Sequence, residues 1–77
     1  MLLMADTKLK ILREDMKLTQ EQLARKANLS ATVYRRAEYG HNISYTTARA
    51  ILAAVNIYRR ELKMPVFTMD DIELNIV

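Results

Sequence analysis

Between Thr19 and Gly40 the chain reads TQEQLARKANLSATVYRRAEYG, and this stretch leaves few folds open. It starts with a Thr-x-x-Gln capping box, Thr19 and Gln22, in which each residue satisfies a backbone N–H left free at a helix start. Leu23, Ala24 and Ala27 then form one apolar face. Asn28, which tolerates the left-handed conformation of a tight helix stop, closes the first helix. Ser30 caps a second helix that runs to about Glu38, and Gly40, the only glycine in the chain, follows at a position suited to positive φ. Two short helices joined by a tight turn are predicted, the second carrying Arg35 and Arg36. With 51% hydrophobic residues, one Gly and one Pro in 77 residues, neither disorder nor a turn-rich β fold fits.

The flanks extend the helical pattern. A first helix is expected from Asp6 or Thr7 to about Met16, with Leu9, Leu12 and Met16 on one stripe. Leu2 and Leu3 precede either cap. In the central helices, Val33, Tyr34 and Ala37 are expected to turn inward, and Glu21 and Arg25 to form a surface pair at i, i+4. Ser44 caps a fourth helix whose apolar period uses Tyr45, Ala48, Ile51, Leu52 and Val55; it either continues to Met64-Pro65 or breaks near Asn56. Beyond it, Thr68 to Asp71 can cap one further turn. Ile72, Leu74 and Ile76 alternate with polar residues at strand period, and a strand there would need a partner from another molecule. The expected architecture is therefore all-α, a compact domain of four to five helices over residues 1–63 with a short C-terminal tail over 64–77.

Charge divides at the same boundary. Residues 1–63 hold all 12 Lys and Arg against six acids, a net +6; residues 64–77 hold Asp70, Asp71 and Glu73 and no base, a net −3. A basic globule with an acidic tail points to a polyanionic partner for the first part only. Other functions find little support. There is no Cys, the single His41 lies in a loop, and no carboxylate pair with a pocket and no glycine-rich phosphate loop is apparent, so no enzyme, metal site or cofactor is expected. Met1-Leu2-Leu3-Met4 lacks the basic start and length of a signal peptide, and no apolar run approaches a membrane span; a cytoplasmic protein is expected.

Four landmarks, in order and at matching spacing, resemble the Cro/C1-type helix-turn-helix domain of the XRE family: Leu9-x-x-Leu12-Arg13, Leu18 through Ala24, Asn28-Leu29-Ser30, and Glu38-Tyr39-Gly40. The resemblance covers residues 9 to 57. It implies a salt bridge between Arg13 and Glu38, linking the first helix to the end of the third. It places Ala31, Thr32 and Arg36 at base-facing positions of a recognition helix inserted in the DNA major groove. It assigns phosphate contacts to Gln20 and Asn42, with His41 and Ser44 as weaker candidates, and Arg35, neighbouring the base-facing residues, is expected to supply charge to the phosphate backbone. Tyr34 and Ala37 depart from the family's usual branched aliphatic and larger apolar residues, an exchange that can conserve core volume.

Two functions follow. The first is sequence-specific binding of double-stranded DNA by a small transcription regulator, of the phage or plasmid repressor type or antitoxin-like, acting as a homodimer on two half-sites. Tyr58, Leu62, Val66, Phe67 and the alternating tail are then candidate interface. The second is a protein-interaction module in which the helices are scaffold and the tail recruits a partner by strand addition or helix docking.

Overall fold

Every α-helix among the described residues begins in the same way. Thr7, Thr19, Ser30 and Ser44 stand in extended backbone conformation, and their hydroxyls accept the backbone N–H groups of Lys10, Gln22, Val33 and Thr47. These are donors that a helix start leaves without an intrahelical partner. Gln22 Oε1 also accepts the Thr19 backbone N–H at 2.7 Å, completing the capping box. In the computed structural model, which describes residues 6–77, the helices are α1 (Lys8–Asp15), α2 (Gln20–Lys26), α3 (Ala31–Glu38) and α4 (Tyr45–Glu61). Leu2 and Leu3 lie outside the described residues.

The helices also end alike. Lys17, Asn28, Gly40 and Lys63 take φ of 58, 60, 85 and 58°. After each, the N–H of the next residue (Leu18, Leu29, His41, Met64) bonds back to the carbonyl of Arg13, Ala24, Arg36 or Arg59. This is the Schellman stop, which satisfies the last carbonyls of a helix and turns the chain sharply. Four stops on so short a chain fold it into a bundle in which α2 packs on α3 and α4, and α1 on α3. Leu9, Leu23, Tyr34, Ile51 and Val55 fill the centre, with Ala24, Ala48 and Ala54 buried among them.

Several expectations change. Val33 is 37% exposed rather than inward, and Tyr45 is 56% exposed, because the bundle meets each helix along a narrower stripe than the periodicity allowed. Glu21 Oε2 lies 3.9 Å from Arg35 Nη1 on α3, so its near cation is across the turn rather than at i, i+4. Helix α4 passes unbroken through Asn56 and ends at Glu61, short of Met64-Pro65.

Asn56 has another use. Its Oδ1 accepts the Phe67 N–H at 2.8 Å and its Nδ2 donates to the Phe67 carbonyl at 2.9 Å. Buried Arg59 donates to the Pro65 carbonyl, and its guanidinium lies 3.7 Å from the centre of the Phe67 ring. The two side chains thus return the tail to the bundle. A single 3₁₀ turn, Asp70–Ile72, inserts Ile72 into the interior. Leu74 and Ile76 pack against the core. The final alternation does pair, but within the chain: Ile43, in the α3–α4 loop, forms a parallel bridge with Ile76. With the Ile43 side chain buried, the tail supplies partners for its backbone N–H and C=O, groups that a buried loop must satisfy.

Candidate nucleic-acid interface

The interface is organised around α3. Thr32 and Arg36, at i and i+4, share one exposed face, with half-buried Ala31 and Arg35 beside it. Among the described residues Arg36 has no ion-pair partner, whereas Arg35 lies near Glu21. The opposite face carries Tyr34, Ala37 and Glu38, all buried. The helix therefore presents hydrogen-bonding and cationic groups outward from a rigid apolar backing.

Its C-terminal end is fixed by a polar cluster. Arg13 Nε donates to Glu38 Oε2 at 2.8 Å and Arg13 Nη2 to Oε1 at 2.9 Å, a bidentate pair between α1 and α3. Arg13 Nη1 donates to the Leu18 carbonyl at 2.8 Å, which holds the α1–α2 link. Thr7 Oγ1 donates to the Glu38 backbone carbonyl at 2.6 Å. Burial acts to raise the Glu38 carboxyl, but the hydrogen bonds from Arg13 and Gln20 outweigh it and hold the group below its ordinary value. The hydrogen bond to Glu38 likewise holds the Arg13 guanidinium above its ordinary value despite burial. Burial, and then the adjacent carboxylate, push the Tyr34 phenol up. The Tyr34 hydroxyl is buried and makes no hydrogen bond among the described residues.

Gln20 belongs to the same cluster. Its Nε2 donates to Glu38 Oε1 at 3.0 Å, which sets the start of α2 against the end of α3. An amide nitrogen carries two donors, so one N–H is committed to Glu38 and the other is not. Asn42 and His41 are exposed in the loop after α3, and exposed Ser44 is engaged as the cap of α4. Gln20 and this loop accordingly meet at one end of α3, while Ala31 and Thr32 stand at the other.

Two participants, Thr7 and Asn75, carried no sequence signal for their roles. Thr7 reads only as a cap, yet also anchors Glu38. Asn75 Nδ2 donates to the Gly40 carbonyl at 3.2 Å, and the Asn75 carbonyl accepts the Ile43 N–H at 2.9 Å, bringing the tail to the loop that holds Asn42. Only the 35-residue separation of Asn75 and Gly40 is recorded in the sequence, and separation does not predict contact.

No helix of the described residues is long and apolar enough to cross a membrane. No curated protein and no solved structure gives a significant match to the chain. The helix-turn-helix family model, in contrast, matches residues 9–62, a span that holds all four α-helices except the first residue of α1, together with the Arg13–Glu38 pair. With most of its length inside that match, the chain belongs to the XRE type of the helix-turn-helix family of DNA-binding domains.

Proposed function

We propose that the chain is a sequence-specific regulator that binds double-stranded DNA by laying α3 in the major groove, in the manner of a phage or plasmid repressor or an antitoxin. The observation that carries this reading is the contrast between the two faces of α3. One face is clamped by a buried bidentate ion pair, and the other leaves Thr32 and Arg36 exposed at its surface. The Arg36 guanidinium, exposed and without an ion-pair partner among the described residues, can donate two parallel hydrogen bonds to guanine O6 and N7. Thr32 can donate to or accept from a base or phosphate, and Ala31 can offer apolar contact to a thymine methyl. Gln20, Arg35 and Asn42 are assigned to phosphates, which fix orientation and carry no sequence information directly.

A homodimer on two half-sites is the expected binding form, since one helix of this size reads few base pairs. Exposed Leu62 and Val66, beside the end of α4, support an apolar contact between copies. The reading of the tail as a recruiting arm has less behind it, because Ile72, Leu74 and Ile76 are occupied by this chain's own core.

The test begins with selection of bound sequences from random duplex DNA, followed by titration of single-base variants of the selected site. Arg36→Ala is expected to lower affinity by about 1–3 kcal/mol and to relax preference at one base pair. Uniform weakening across variants would make Arg36 a phosphate contact instead. Gln20→Ala should weaken all sequences alike.

A further inference from the structure

The loop between α3 and α4 has its backbone polar groups taken by the tail. The Gly40 carbonyl accepts from Asn75 Nδ2, the Ile43 N–H donates to the Asn75 carbonyl, and the Ile43 carbonyl accepts the Val77 N–H at 3.0 Å. These bonds flank His41 and Asn42 on both sides. The same loop is tied from below at its start, where Thr7 bonds to the Glu38 carbonyl and Gly40 holds φ of 85°. Between these ties the Asn42 side chain is exposed and makes no hydrogen bond of its own among the described residues. An exposed asparagine on an untied loop would have to be ordered at the moment of binding, and that ordering would subtract from affinity.

We propose that the segment Asn75–Val77 is a positioning clasp for DNA binding: by pinning Gly40 and Ile43 it pre-orders Asn42 for the phosphate backbone, so that clasp closure and DNA binding favour one another. The proposal rests on the assignment of Asn42 to a phosphate. The clasp touches no base and holds no cation toward the DNA. It therefore alters affinity for all sequences alike and leaves the salt dependence, which counts Lys and Arg contacts, unchanged. Coupling is reciprocal, so DNA that gains from a closed clasp must also close it more firmly.

A double-mutant cycle tests this. Val77→Pro removes the one backbone N–H that reaches the Ile43 carbonyl; Val77→Ala keeps that N–H and is the matched comparison. Each is combined with Asn42→Ala and titrated with the selected duplex. Val77→Pro should weaken binding about three- to tenfold relative to Val77→Ala, the factor that one net hydrogen bond corresponds to. In the Asn42→Ala background that factor should shrink to near one. The same weakening in both backgrounds would overturn the clasp, since its effect would not pass through Asn42. If Asn42→Ala alone leaves affinity unaltered while Arg36→Ala lowers it, the phosphate assignment of Asn42 fails instead, and the inference with it.

Amide exchange followed by NMR keeps the idea falsifiable should Val77→Pro disturb the fold. In the unmutated chain the Ile43 N–H, which faces the tail, should exchange more slowly once duplex is added, and Asn75→Ala should reduce that slowing. Exchange at Ile43 indifferent to DNA would count against the coupling.

Discussion

Removing the Glu38 carboxylate, as in Glu38→Ala, leaves the Arg13 guanidinium charged in a site where its side chain is only 11% exposed. The partner left behind, more than the lost attraction, sets the cost: about 3–5 kcal/mol for breaking a buried pair from one side. Urea unfolding measures it, and a loss below about 1 kcal/mol would mean that the guanidinium finds water or another acceptor. The acid side of the pH profile has the same origin. Because the folded-state pKa of Glu38 is lowered from 4.5, its contribution is complete above that value and is lost as pH falls through the folded-state value. At alkaline pH the sign reverses for Tyr34. Its phenol is raised from an ordinary value of 10.0, so above that pH the unfolded chain can ionise while the folded one resists, and stability falls as pH rises. Unfolding midpoints followed across pH should therefore decline at both ends. In Glu38→Gln the acid decline should be shallower, and in Tyr34→Phe the alkaline one.

The starts of the helices were legible because a Ser or Thr cap is itself the mechanism that starts a helix, and Thr7, Thr19, Ser30 and Ser44 are all used so. The stops were legible only by half. Asn28 and Gly40 announce a left-handed residue; Lys17 and Lys63 adopt the same conformation with side chains that do not advertise it. At those two sites the Schellman hydrogen bonds, and the burial they permit, override a local preference of roughly 1–2 kcal/mol. Arg13 and Glu38 are paired by the family resemblance, and the same resemblance makes Gln20 a phosphate ligand; its bond to Glu38 depends on how α2 meets α3. The tail was least legible. Its alternation reads as a strand that needs another molecule, whereas it forms one 3₁₀ turn over Asp70–Ile72 and a single bridge from Ile76 to Ile43 of the same chain. Asn56 reads as a possible helix break, and nothing local marks Asn56 and Arg59 as the residues that bind Phe67 and Pro65. Asn56→Leu tests that role: with the Phe67 N–H and C=O both unpaired, stability should fall by about 1–3 kcal/mol per unsatisfied group at most, less if water reaches them. The readout is local. Exchange of the Phe67 amide should accelerate in the variant far more than that of amides within α2.

Charge is segregated along the chain, with the acids Asp70, Asp71 and Glu73 on one short turn and all Lys and Arg in residues 8–63. Since the tail folds back on the bundle, its acids lie on the same body as the bases, with Asp71 near enough to Lys8 to feel its charge. A bound duplex should displace counterions from the phosphates it covers. The measurable consequence is a linear fall of log K with log salt, with a slope of about −0.9 for each phosphate neutralised. Arg35→Ala, if Arg35 pairs with a phosphate, should make that slope shallower by about one and weaken every sequence alike. Neutralising Asp70 and Asp71 to Asn should raise affinity slightly at low salt, with the gain vanishing at high salt where the Debye length shrinks to a few ångströms. A salt-independent affinity would remove the electrostatic component on which the DNA reading depends. Failure to bind random duplex even at low salt would leave the exposed apolar residues Ile57, Leu62 and Val66 as the surface to explain, and a protein as the partner to look for.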